Sequence, residues 1–214
     1  MKRIRQLLTL FLLAIGANAG AVEIDGINYI FNSSNHTARV IAGFYSGDIN
    51  IPSSVSFNGN DFDVVSIEEK AFNGCINLTS VCMANSITTI GEKTFAGCTS
   101  LLSVGLSNSI TSIESSTFKN CTSLVSIEIP NSITNIGNSA FEGCASLANI
   151  VIPNSVSSIG YNAFADCTSL VSVQLSNTVS SIGSCSFQNC TSLTSIEIPN
   201  SITSFDNKAF SLCI

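Results

Sequence analysis

Apolar and polar positions along this chain recur at one spacing. Phenylalanine stands at Phe72, Phe95, Phe118, Phe141, Phe164, Phe187 and Phe210, each 23 residues after the last. Cysteine keeps the same step at Cys75, Cys98, Cys121, Cys144, Cys167, Cys190 and Cys213. Branched residues keep it at Ile67, Ile90, Ile113, Ile136, Ile159 and Ile182, with Phe205 in the seventh place. Two further columns run Leu78, Leu101, Leu124, Leu147, Leu170, Leu193 and Val81, Val104, Ile127, Ile150, Val173, Ile196. No insertion or deletion interrupts them. A fixed period of this length is the mark of a stacked repeat.

One repeat, read from Cys121, shows how a coil is made. Leu124, Ile127 and Ile129 are apolar, and the last two flank a polar residue, which predicts a short strand with one face inward. Pro130-Asn131 ends it, because proline has no N–H for a continuing ladder. Ile133 and Ile136 turn inward again, and Gly137 makes a corner. Ala140-Phe141 predicts a short helical turn, and Cys144 opens the next coil. A lone coil cannot cover its apolar side chains, so the coils must stack, about 4.8 Å apart as neighbouring strands are. The predicted fold is a mainly β solenoid: a curved stack of 23-residue coils with parallel strands, about six and a half of them over residues 64–214.

The segment before the repeats is different. Residues 20–63 alternate around Ile27–Phe31, Ala38–Ile41 and Ile49–Ile51, which predicts a small β segment capping the stack at its N-terminal end. Residues 1–19 read as a secretory signal peptide. Lys2, Arg3 and Arg5 precede an apolar run from Leu7 to Ile15, and Ala17-Asn18-Ala19 supplies a cleavage site. That run is short for a permanent span, so the mature chain is expected to be secreted, extracellular or at the cell surface, without membrane insertion.

The phrase C-x-x-L-x-x-I-x-I-P-x-S-I/V-T-x-I-G-x-x-A-F resembles the BspA-like, or Treponema pallidum-type, leucine-rich repeat, from Val64 to the end of the chain. The resemblance implies a curved solenoid with parallel strands on its concave side. It also implies exported or surface-bound proteins whose usual role is adhesion, and it brings no catalytic residues. Departures are local. Cys82 and Gly105 stand at strand positions that elsewhere carry Glu or Gln, and Glu68, Glu114 and Asp206 replace the corner glycine.

Charge and chemistry narrow the picture further. Without Lys2, Arg3 and Arg5 the chain keeps five basic residues against fourteen acidic ones, a net of −9. Nucleic acid is therefore not an expected partner, since its phosphates need clustered Lys or Arg. His36 is the only histidine, so no zinc site with two or more His ligands can form, and a Ser-His-Asp device would have to be built on His36, in the cap, where no partner motif appears. We read no catalytic, cofactor-binding or metal residues, and no enzyme. The cysteine column reads as stacked thiols, because coils about 4.8 Å apart hold Cβ atoms farther apart than the roughly 3.8 Å a disulfide prefers. Cys82 and Cys185 are the expected reactive thiols. Asn85, Asn108, Asn131, Asn154, Asn177 and Asn200 read as a structural ladder at the strand exit.

The outward side of the strands remains. One column is uniform and polar: Ser80, Ser103, Ser126, Asn149, Ser172, Ser195. Its neighbour varies from coil to coil: Cys82, Gly105, Glu128, Val151, Gln174, Glu197. A third, Thr79, Leu102, Val125, Ala148, Val171, Thr194, mixes apolar and hydroxyl groups. Core columns must repeat because each coil packs on the next, whereas outward positions are free to vary. The first two columns are the candidate face for a protein or cell-surface macromolecule; drift on an unused surface would give the same variation. The alternative is a structural component that self-associates end to end, through an unpaired strand edge at Thr194–Ile198.

Overall fold

The computed structural model describes residues 20–205 and 208–213. The signal-peptide expectation and the Asp206 corner lie outside them. Each coil has three sides. The first carries the longer strands: β4 (Gly47–Ile51), β7 (Leu78–Met83), β9 (Ser103–Gly105), β12 (Asn149–Val151) and β14 (Ser172–Gln174). The second carries two-residue strands: β8 (Thr89–Ile90), β10 (Ser112–Ile113), β11 (Asn135–Ile136), β13 (Ser158–Ile159), β15 (Ser181–Ile182) and β16 (Ser204–Phe205). Where repeat strands of either set pair, they do so in parallel and in register at the repeat step, as in Ser80↔Ser103 and Ile136↔Ile159. The sequence reading had no second ladder; its strands are too short to alternate visibly.

The third side holds the phenylalanines. The expected helical turn at Ala140-Phe141 is not a helix. Each coil instead has two residues with left-handed backbone, such as Ser139 (φ 54°) and Gly143 (φ 74°), or Asn162 (55°) and Asp166 (59°). Two reversals four residues apart stop a right-handed helix from propagating. They also aim alternate N–H groups at the next coil, so Phe118 donates to Ala140 O at 2.8 Å and Phe141 to Ala163 O at 2.7 Å. Short turn bonds such as Cys144 N to Phe141 O, 3.1 Å, fill the alternate places.

The rings of Phe72 through Phe210 form one spine, with successive centroids 5.0–5.4 Å apart and planes within 20°. Beside it, each column thiol from Cys98 onward donates to a phenylalanine carbonyl 26 residues earlier, as Cys144 Sγ does to Phe118 O at 3.2 Å. Corner glycines allow this closeness. A Cβ on Gly160 would lie 2.7 Å from the backbone N of Asn138, and one on Gly137 2.8 Å from that of Ser115. At Glu114 the corner does carry a side chain. There, among the described residues, no strand pairing joins β8 to β10.

Ahead of the repeats, β1 (Val22–Ile24), β2 (Ile27–Asn32) and β3 (Thr37–Val40) pair antiparallel in sequence. β5 (Ser54–Phe57) and β6 (Asn60–Ile67) form a hairpin closed by Asn58-Gly59, both with positive φ. β3 pairs in parallel with β6, which runs through the expected boundary at Asp63/Val64. The Tyr45 ring covers the first member of the spine, with centroids 4.4 Å from Phe72. β4 adds itself to β7 as a further rung of the first side.

Candidate functional site on the strand face

The strand face is exposed because β-strand side chains alternate and the core takes every second one. In β9, β12 and β14 the middle residue is buried and its two neighbours are exposed. Of the candidate residues, Cys82, Ser103, Ser126, Glu128, Asn149, Val151, Ser172, Gln174, Ser195 and Glu197 are exposed. Ser80 is half-buried and engaged: Ser80 and Thr79 donate to the Asp48 carboxylate of β4 at 2.6 and 2.8 Å. Those hydroxyls hold the Asp48 carboxyl below its ordinary range. Asp48 belongs to the face, and the repeat pattern could not show it because it comes from the cap.

Pairing along this face is interrupted, and the interruptions coincide with proline at the strand exit. β4 with β7, β7 with β9, and β12 with β14 make ladders. The later coil of each pair leaves its strand through a residue with an N–H: Ala84, Ser107 and Ser176. In the first case that N–H closes the ladder, Ala84 donating to Ile51 O at 3.0 Å. At the three junctions without a ladder among the described residues, the exit is Pro130, Pro153 or Pro199. Proline cannot make that bond, and it restricts the residue before it. The strands expected at Leu124–Ile129 and Thr194–Ile198 therefore do not form, although Ile127 and Ile129 stay buried. This corrects the reading of Thr194–Ile198 as an exposed strand edge.

Where the ladder is interrupted, the face opens. A groove of about 1100 Å³ lies over the Pro130 and Pro153 coils. It gathers five candidates, Ser126, Glu128, Asn149, Val151 and Gln174, together with Asn131, Asn154 and Asn177. A smaller hollow of about 300 Å³ at the Pro199 junction includes Ser172, Gln174, Ser195 and Glu197. Ser80, Cys82 and Ser103 line neither. The asparagine column lies at the strand exits, on the surface. All six are exposed, the backbone N–H of Asn108 bonds to Asn85 Oδ1 at 2.8 Å, and four of them, Asn108, Asn131, Asn154 and Asn177, wall the groove. The place of Asn131 and Asn154 directly after prolines was a signal that could have found those two.

Apolar side chains share this surface. Leu102, Val125, Val151 and Val171 are 51–57% exposed. On the opposite flank the column thiols sit in the core, where burial pushes Cys98 and Cys190 up to about 12 and also raises Cys121, Cys144 and Cys167. Cys82 is exposed and Cys185 partly so.

Stacked coils, a phenylalanine spine and an open strand face define a leucine-rich-repeat solenoid. The sequence profile of the BspA type Leucine rich repeat region, in six copies, matches residues 44–170 and 134–214, and the chain belongs to that family. A leucine-rich repeat protein from Bacteroides ovatus superposes with a TM-score of 0.83 at 33% identity, over 90% of this chain and 51% of that one. This chain therefore spans about half of that protein's length. The Treponema pallidum leucine-rich repeat protein is similar at a TM-score of 0.64 and 27% identity, over 78% of this chain and 87% of that one. Among curated proteins, nothing matches. In the described residues no helix is long and apolar enough to cross a membrane.

Proposed function

We propose that this chain is an exported leucine-rich-repeat protein that docks another protein, at a cell surface or in the surrounding matrix, through the outward face of its strands. It acts as a binding protein and not as an enzyme. The observation that carries this reading is the groove over Pro130 and Pro153, where exposed apolar, carboxamide and carboxylate side chains meet on the face that varies coil by coil. Such a mixture suits a protein partner, whose contact surface is itself part apolar and part polar. Export rests on Lys2 to Ala19 in the sequence.

Bulk placed on the face tests the reading without touching the core. Ser126→Trp with Ser172→Trp adds two rings at exposed positions. The purified mature chain, immobilised, should capture a defined set of extracellular proteins. The double variant should lose that capture at least about tenfold, the equivalent of roughly 1.4 kcal/mol, while its thermal midpoint stays unchanged. Undiminished capture by a folded variant would place the docking surface elsewhere.

A further inference from the structure

The face is not electrically neutral. Among the described residues the basic side chains are Arg39, Lys70, Lys93, Lys119 and Lys208. Arg39 sits on β3 of the cap, and the four lysines sit on the phenylalanine side. Three of the five are paired with acids there: Arg39 with Glu68 at 2.5 Å, Lys70 with Glu69 at 2.6 Å and Lys119 with Glu142 at 2.9 Å. No such pair among the described residues involves Glu128 or Glu197. The strand face thus keeps exposed carboxylates with no basic residue paired to them among the described residues, and a groove lined by one sign of charge draws in the opposite one.

Their spacing is set by the stack. Glu128, Val151, Gln174 and Glu197 occupy one column, and Val151 pairs in register with Gln174. Three steps of about 4.7 Å separate the two carboxylates, roughly 14 Å along the stack. An extended polypeptide rises about 3.4 Å per residue and alternates its faces. Residues i and i+4 of such a segment therefore point the same way roughly 13.6 Å apart. Residue i+2 points that way too, midway between exposed Val151 and Gln174.

We propose that the groove and the hollow beside it receive an extended, cationic segment of the partner, running along the stack, with Lys or Arg at i and i+4 on Glu128 and Glu197 and an aliphatic residue at i+2 between Val151 and Gln174. This rests on the docking face proposed above and adds the chemistry and register of what it binds. The face would discriminate by spacing as well as by charge, since basic residues three apart point to opposite sides of an extended chain.

The test uses the mature chain and labelled peptides of threonine carrying Lys at i and i+4 and Val at i+2, followed by fluorescence anisotropy at low ionic strength. Moving one Lys to i+3 at constant composition should weaken binding about tenfold, and Glu in place of Lys should abolish it. Glu128→Gln with Glu197→Gln should cost a similar factor and remove most of the salt dependence. Equal binding of the i+4 and i+3 peptides, or no effect of the two Gln substitutions, would overturn the proposal. Should the Trp variants still lose protein capture in that case, the docking face stands and only its cationic register fails. Should they keep capture, the face itself is wrong.

Discussion

At the scale of single residues, the repeat separates positions that must stay as they are from positions that are free. Gly160 and Gly105 illustrate both kinds. A Cβ on Gly160 would press on the backbone of the coil below, at 2.7 Å, whereas one on Gly105 would make ordinary contact with Cys82 Sγ at 3.5 Å. Gly160→Ala should therefore cost about 1–3 kcal/mol, the range for overpacking, and Gly105→Ala should stay within about 0.5 kcal/mol. Urea titration of the two variants measures the difference. The corner glycines were legible because backbone crowding at Gly91, Gly137, Gly160 and Gly183 excludes a side chain. The first left-handed position was not: it is filled by Lys70, Lys93, Ser116, Ser139, Asn162 and Cys185, and nothing in those side chains announces positive φ.

The elements respond to their surroundings as columns. Thiols in the cysteine column ionise near 9.0 when solvated, but Cys98 and Cys190 are held at about 12 by burial. Between those values the unfolded chain releases protons that the folded chain keeps, so stability falls as pH rises from about 9 to about 12, by roughly 1.4 kcal/mol per unit for each such thiol. Denaturation midpoints taken across that window should decline, and Cys98→Ala with Cys190→Ala should flatten the decline. A second prediction concerns the interrupted ladder. Pro130→Ala with Pro153→Ala returns two N–H groups to the strand exits, so amide exchange over Ser126–Ile129 should slow at least about tenfold, the equivalent of roughly 1.4 kcal/mol. Unchanged exchange would mean that proline is not what interrupts the pairing. The spine, the thiol column and the alternation of the strands could be read from the sequence because core packing forces identity from coil to coil. The groove could not. Proline was visible as the end of a strand, but that it removes the whole pairing depends on which N–H closes the ladder in space.

For the whole molecule, one core runs from Tyr45 of the cap through the phenylalanine rings, and stability in such a stack is carried between nearest neighbours. In the function proposed above, partner choice falls to the first side, whose alternate strand residues face outward. The most direct measurement is side-chain footprinting by hydroxyl radicals, comparing the mature chain alone with the chain bound to a captured protein. The account predicts that modification drops at Leu102, Val125, Val151 and Val171, while Phe44, Ile76 and Tyr161, exposed elsewhere, react as before. Protection of Phe44, Ile76 or Tyr161 with the four strand-face residues unchanged would contradict it.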